Sequence, residues 1–320
     1  ILYMGSEFLH RSMNQGETWE RISGDLTNGA KEGNVAFGTL TTISESKFQF
    51  GLLYAGSDDG KIHVSNDGGV SWQLISGNLP QNLWVSRVVA SSHKKERVYV
   101  TLNGYRNDNF ESYAFVSEDF GATWTSISNG LTQAVNVIVE DSANENILYV
   151  GTDNGLFISV DKGANWQDFS NGMPKVAIHD AVIQTKAKEL IVGTHGRSIY
   201  KMDISKVQEL TKDVLAKNLH LFKVNDRTKS ERWGSQNYAW GKPSEPSQTI
   251  WFYSDVDGIV NVSITNEAGM LVHTQKVEAK KGLNSFAYDY SMPKNVADNW
   301  NKKDKNIKLK AAENQKIYLH

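Results

Sequence analysis

The sequence predicts an all-β protein: an array of small antiparallel sheets over its first two thirds, then a second β domain. Three observations carry that expectation. An octapeptide of the form Ser-x-Asp/Asn-x-Gly-x-Thr/Ser/Asn-Trp occurs four times, with its tryptophans Trp19, Trp72, Trp124 and Trp166 spaced 53, 52 and 42 residues apart. That period belongs to propeller blades or other repeat arrays. Each copy lies between short runs of strand character, such as residues 155–159 and 166–170, and so predicts a hairpin turn. The nine Trp, 12 Tyr and 12 Phe of the 320 residues suit a β-rich chain.

The residue types explain the octapeptide as a turn. Its acidic or amide position (Asn14, Asp67, Asp119, Asp161) can accept hydrogen bonds from main-chain N–H groups of its own turn, the first serine (Ser12, Ser65, Ser117, Ser159) adds local bonds, and the glycine (Gly16, Gly69, Gly121, Gly163) permits positive φ. The tryptophan opens the return strand and is expected to pack on its own hairpin. These duties account for the aspartates, so catalysis is not assigned to them. The pattern is the Asp box, and residues 1–204 resemble the BNR-repeat (Asp-box) propeller superfamily that includes sialidases, xyloglucanases and the sortilin ectodomain.

Taken in order, the fourth copy supplies a template blade: strand a at 135–140, b at 147–152, a turn at 153–155, c at 156–159, the octapeptide, and d at 166–170. The first blade has only b (2–5), c (7–11) and d (18–22); the second and third add strand a at 37–43 and 85–90, with b at 53–56 and 98–102. A fifth unit has a (178–184), b (190–194) and c (198–202) but neither octapeptide nor d. A leading b-c-d and a trailing a-b-c cannot merge into one four-stranded blade. The expectation is therefore a partial β-propeller, the last four to five blades of a larger ring, in a chain whose opening Ile1-Leu-Tyr-Met-Gly5 is read as a cut.

Residues 205–218 carry Val207, Leu210, Val214 and Leu215 at helical spacing without Gly or Pro, predicting a helical linker. From 219 to 320 the pattern is β again, with strands at 249–254, 259–265, 270–275 and 284–288. This stretch predicts a β-sandwich, and residues 219–292 resemble the Ig-like module of flagellar hook-capping proteins and many secreted Bacteroidota proteins. The tail with Lys302, Lys303, Lys305, Lys308 and Lys310 reads as a solvated loop, a last strand starts near Ile317, and His320 is read as a second point of truncation.

Composition narrows the chemistry. A net charge of −2 supplies no general drive toward nucleic acid or anionic membrane, and zero cysteines exclude thiolate catalysis and Cys-based metal sites. No run spans a bilayer, so direct membrane insertion is not expected. The chain has no Walker-type loop, no clustered His metal motif and no Gly-x-Ser-x-Gly elbow, so no cofactor and no metal are expected. Asn261-Val-Ser263 matches a glycosylation acceptor, read as chance.

Blade geometry puts the octapeptides on one face and the b-to-c and d-to-a loops on the other, and the resemblance implies a ligand on that other face. The third b-to-c connection, 103–112, is the longest, with Tyr105, Arg106 and Asp108; Trp84 ends a d-to-a loop and could stack on a sugar or an apolar side chain. Gly193-Thr-His-Gly-Arg197 resembles the segment closing the last blade in a bacterial sortilin-like group, which also carries a loop like Tyr105-Arg-Asn-Asp108. His195 and Arg197 either bind a polar or anionic ligand or, the preferred reading, Arg197 bonds carbonyls of neighbouring blades. Sialidase-type catalysis lacks its Arg-Ile-Pro segment, since Arg21-Ile22 is followed by Ser23; a hydrolase pair drawn from Asp25, Asp58, Asp59 and Asp108 has no local motif. The leading reading is a secreted or bacterial cell-surface binding protein for a glycan or peptide, with further blades of the same chain as structural partners. A glycoside hydrolase with carboxylates partly in missing blades, and a structural segment of an envelope or secretion-associated protein, are the alternatives.

Overall fold

The computed structural model describes residues 1–29, 37–170, 172–236, 238–303 and 308–318. Parts of two sequence expectations, the 25–33 connection and the lysine tail at Lys305, lie outside them. The chain forms two compact units, Ile1–Gln208 and Glu209–His320.

The first unit is a succession of five antiparallel sheets with strands in chain order. Sheet one holds β1 (Leu2–Gly5), β2 (Leu9–Ser12) and β3 (Glu20–Arg21); sheet two holds β4 (Leu40–Glu45), β5 (Leu53–Ser57), β6 (Ile62–Ser65) and β7 (Gln73–Leu74). Sheet three holds β8 (Trp84–Ala90), β9 (Val98–Gly104), β10 (Asn109–Ser117) and β11 (Thr125–Ser126). Sheet four holds β12 (Val135–Glu140), β13 (Leu148–Thr152), β14 (Gly155–Ser159) and β15 (Gln167–Asp168), and sheet five holds β16 (Ile178–Gln184), β17 (Glu189–Thr194) and β18 (Ile199–Asp203). The outermost strands are only two residues long, because just two residues after each tryptophan pair with the preceding strand, as in Phe157↔Asp168 and Ile158↔Gln167. Strand β4 begins at Leu40 rather than near Phe37, since the main chain of Phe37, Gly38 and Thr39 is engaged by the Asp58 carboxylate instead.

The core lies between sheets. Val64 and Ile75 of sheet two pack with Val85, Val100 and Leu102 of sheet three; Tyr99, Ala114 and Ile127 of sheet three pack with Val135, Ile138 and Val150 of sheet four. In sheets two and four a glycine on the second strand lets the next sheet close in. A Cβ placed on Gly56 would sit 2.5 Å from Val85 Cγ1, and one on Gly151 would sit 2.5 Å from Ile178 Cγ2.

The octapeptides make the second part of the joint. Asp67 Oδ1 accepts from Ser71 N (2.9 Å) and Ser65 Oγ (2.8 Å), Oδ2 accepts from Ser71 Oγ (2.6 Å), and Ser65 Oγ accepts from Gly69 N (2.9 Å). Asp119 and Asp161 repeat the pattern. In the last three copies the tryptophan also reaches beyond its own hairpin. Its indole N–H donates to a carbonyl of the preceding sheet: Trp72 to Ile22 O (2.9 Å), Trp124 to Ile75 O (2.8 Å) and Trp166 to Ile127 O (2.6 Å). The same isoleucines lie against Gly69, Gly121 and Gly163, whose φ values of 97°, 92° and 86° demand glycine in any case.

In the second unit β19 (Leu219–Leu221), β20 (Gln248–Ser254) and β23 (Gly282–Tyr288) form one sheet, β21 (Gly258–Thr265) and β22 (Leu271–Ala279) a second, and β24 (Ser291–Met292) with β25 (Ile317–Tyr318) a third. Ile250, Phe252 and Phe286 of the first sheet pack with Val277, Ala279, Val260 and Val262 of the second. The expected single linker helix is two one-turn helices, α1 (Ser205–Gln208) and α2 (Lys212–Leu215), because Thr211 stops one and caps the next by accepting from Val214 N. The start of the tail expected as a loop, with Lys302 and Lys303, instead ends a ten-residue helix, α3 (Lys294–Lys303). Pro293 O accepts from Val296 N and Ala297 N, Ala297 is buried, and Trp300 Nε1 donates to Leu271 O at 3.1 Å. Among the described residues no helix is long and apolar enough to cross a membrane.

Gly151→Ala is expected to destabilise the first unit by about 1–3 kcal/mol, since the added methyl overpacks the joint with Ile178, and Trp124→Phe by about 1 kcal/mol through one lost hydrogen bond; urea unfolding followed by circular dichroism checks both. Hydrogen bonds from Ser71 hold the Asp67 carboxyl down from 3.8 to about 2. A depressed folded value stabilises above the unfolded value, and that contribution disappears as pH falls through the folded one. Wild type should therefore lose stability between about pH 4 and pH 2, and Asp67→Asn should show a flatter profile in thermal melts across that window.

Candidate functional site

The candidate site is built on sheets two and three, at the end opposite the octapeptides. The tight β5–β6 turn places Asp58, buried, where its carboxylate accepts from three consecutive amides: Phe37 N (2.8 Å), Gly38 N (3.1 Å) and Thr39 N (2.9 Å). Its neighbour Asp59, also buried, accepts from Asn28 N (2.6 Å) and Ser57 Oγ (2.5 Å). Both therefore organise loops rather than face a substrate.

The expected loop at 103–112 is a tight turn at the end of a long hairpin. Strands β9 and β10 run on to Gly104 and from Asn109, with a register shift between Asn109 and Tyr113, leaving a 3₁₀ turn at Tyr105–Asn107 and Asp108 at φ 54°. Residues 109–112 read as loop because of their polarity, whereas the pairing of Asn109 with Gly104 starts β10 there and leaves 110–112 in the register shift. Asn103 Oδ1 accepts from Tyr105 N (2.8 Å), and Asn107 Nδ2 donates to Asn82 O (3.0 Å), which ties the turn to the connection before β8.

That anchoring lays the Arg106 guanidinium over the Trp84 ring, 5.6 Å from its centroid, with one nitrogen 3.6 Å from Asp58 Oδ2. The arginine is about half exposed at 47% of its side chain. Trp84 is half-buried, and its indole N–H has no partner among the described residues. Tyr105, Phe110 and Phe37 expose their rings on the neighbouring segments at 61%, 55% and 63%. Asp25, another carboxylate considered for catalysis, is held below the ordinary carboxylate range by bonds from the Thr27 hydroxyl and amide.

His195 and Arg197 form a separate group. No hydrogen bond, ion pair or ring contact among the described residues joins them to Trp84, Tyr105, Arg106 or Asp108. His195 N donates to Ala177 O (2.8 Å), and its ring lies 5.2 Å from that of His179, centre to centre. Arg197 is exposed and makes no bond to a carbonyl among the described residues, so the expected inter-blade role is not taken up.

The innermost strands carry inserted residues that no sequence motif marks. Each of β4, β8, β12 and β16 carries a register shift at the equivalent place, inserting Thr41, Ser86, Asn136 and His179. Thr41 Oγ1 donates to Val85 O (2.7 Å) and Ser86 Oγ to Val135 O (2.9 Å), stitching neighbouring sheets. Asn136 accepts from Asn103 Nδ2 (2.7 Å) and donates to Asp153 Oδ1 (2.8 Å). Arg87 of β8 reaches past β12 to Asp180 of β16 at 2.7 Å. A bulge has no sequence signature of its own, which is why these residues were invisible until the strands were paired. No group of three or more His, Cys, Asp or Glu side chains among the described residues is placed to hold a metal ion.

Residues 7–135, which run from β2 through sheet three and include Trp84 and the 105–108 turn, match the Sortilin-Vps10 family model, described as "Sortilin, neurotensin receptor 3". Among solved structures the chain is similar to an ancestral GH74 enzyme, at 16% identity and a TM-score of 0.50 over 86% of this chain and 36% of that one. It is also similar to the GH74 xyloglucanase from Xanthomonas campestris (12% identity, TM-score 0.48, 97% of this chain and 46% of that one) and to the GH74 enzyme of Niastella koreensis (12%, 0.49, 89% and 43%). The chain thus spans less than half the length of each. No curated protein sequence matches it. The first unit has a β-propeller fold, similar to that of the ancestral GH74 enzyme, and part of it matches the sortilin family model.

Asp58→Ala is expected to cost about 1–3 kcal/mol in urea unfolding because it strands buried amides, whereas Arg106→Ala, which removes a half-exposed cation, should stay within about 0.5 kcal/mol.

Proposed function

We propose that the protein is a binding protein whose ligand, a glycan or a peptide, contacts the propeller face opposite the octapeptides. The observation that carries this reading is the Arg106 guanidinium held between the Trp84 ring and Asp58, half exposed and flanked by Tyr105 and Phe110. A positioned cation with exposed aromatic rings offers both a charge-assisted donor and apolar stacking faces, the combination that hot spots of recognition surfaces use. Three of the four candidate carboxylates favour binding over hydrolysis: Asp58 and Asp59 are committed to backbone amides and Asp25 to Thr27, which leaves Asp108 without a partner acid among them. The sortilin family model, whose description names a receptor, covers these residues.

On this reading the octapeptides are Asp boxes, the second unit is an Ig-like β-sandwich appended to the propeller, further blades belong to the same longer chain, and the protein acts outside the cell or on a bacterial surface. The test is retention on a glycan array and in peptide pull-downs, using wild type, Trp84→Ala and Arg106→Ala. Each substitution should lower retention at least tenfold while leaving the circular dichroism spectrum unchanged. Equal retention by all three proteins rejects this site, and release of reducing sugar from a retained glycan would replace binding with hydrolysis.

A further inference from the structure

We propose that His179 and His195 form a binding site for a divalent transition-metal ion of the zinc type. The two residues are 16 apart in sequence, and the β16–β17 hairpin brings them together. His179 is the inserted residue of the bulge in β16, and His195 opens the turn after β17 with its amide bonded to Ala177 O. His179 thus stands between two paired residues and His195 on a bonded amide, and both are exposed, so an ion reaches them without any opening of the fold.

The pair stands out against its equivalents. At the same bulge position Thr41 and Ser86 spend their hydroxyls on neighbouring carbonyls, and Asn136 lies between Asn103 and Asp153. The His179 side chain instead turns to the His195 ring, at 5.2 Å between centroids and 57° between planes. Two imidazoles bound to one tetrahedral ion at about 2.0–2.1 Å hold their ring centres about 5 Å apart, and the tilt is far from a flat stack. Neutral imidazole is also the side chain that borderline metals prefer. Asp180, next in sequence, is already engaged: its Oδ1 accepts from Arg87 (2.7 Å) and from Ala181 N (2.9 Å), which holds the bulge rather than the ion. Two protein ligands leave two positions for water, so the site is weaker than a structural zinc site with four.

Calorimetric titration with zinc chloride tests the assignment on the full chain. One ion per chain is expected, with affinity reduced at least tenfold in His179→Ala and in His195→Ala but retained in His220→Ala, whose ring lies in the second unit. Cobalt(II) added to wild type should give the intense visible bands of a tetrahedral centre, absent in both pair variants. The proposal is overturned if zinc produces no binding heat, or if its affinity is the same in wild type and both pair variants; circular dichroism of each variant establishes that the comparison is between folded proteins.

Discussion

The structure of the first unit depends on how each sheet is fastened to the one before it. At one end the indole N–H of Trp72, Trp124 or Trp166 bonds to an isoleucine carbonyl across the joint, and the octapeptide glycine sits on that isoleucine. Deeper in the joint, Val85 and Ile178 close on Gly56 and Gly151, where no side chain stands in the way. Thr41 and Ser86 complete the fastening near the opposite end. Each contact is worth about 1 kcal/mol or less as a hydrogen bond, but the array repeats it at successive joints, and in a repeat protein stability accumulates from such nearest-neighbour contacts.

This scheme explains why the carboxylates most conspicuous in sequence are not the chemistry. Asp67, Asp119 and Asp161 are consumed by their own turns, and Asp58 and Asp59 by the loops of the other face. Glu140 is committed as well. Buried at the end of β12, it accepts from the Ser91 and Tyr99 hydroxyls and the Ser92 amide, and Arg97 links it to Glu118 and Glu145. With those acids satisfied, the groups presented outward at the 105–110 turn include the Tyr105 and Phe110 rings and the Arg106 cation, beside the exposed Asp108. Recognition suits them better than general acid–base work.

Periodic features were legible and singular ones were not. Strands β12 and β16 occupy the residues that alternation in the sequence indicated, and the first sheet has the three strands expected. Legibility failed where a tertiary partner decided the local structure. The indole bonds leave their own hairpin because the preceding sheet offers a carbonyl, α3 forms because Val272, Met292 and Leu309 give Ala297 a surface to bury, and β10 starts at Asn109 because that residue pairs with Gly104 of β9 ahead of the register shift. At the candidate site, Trp84, Tyr105, Arg106 and Asp108 could be named from sequence, but Asp58 was noted only as a catalytic candidate and Phe37 was not singled out.

By itself the sequence determined the unit of construction. Four octapeptides with one internal spacing need the same turn, because an acceptor, a glycine at positive φ and a tryptophan at fixed offsets have one economical arrangement. It also determined the all-β class through alternation and the spacing of turns. Only the tertiary structure decided which side chains meet: Arg106 with Trp84 and Asp58, Arg87 with Asp180, His179 with His195. Those pairings depend on bulges and on the stacking of one sheet upon the next, and residues separated by tens of positions leave no local trace of the geometry that joins them.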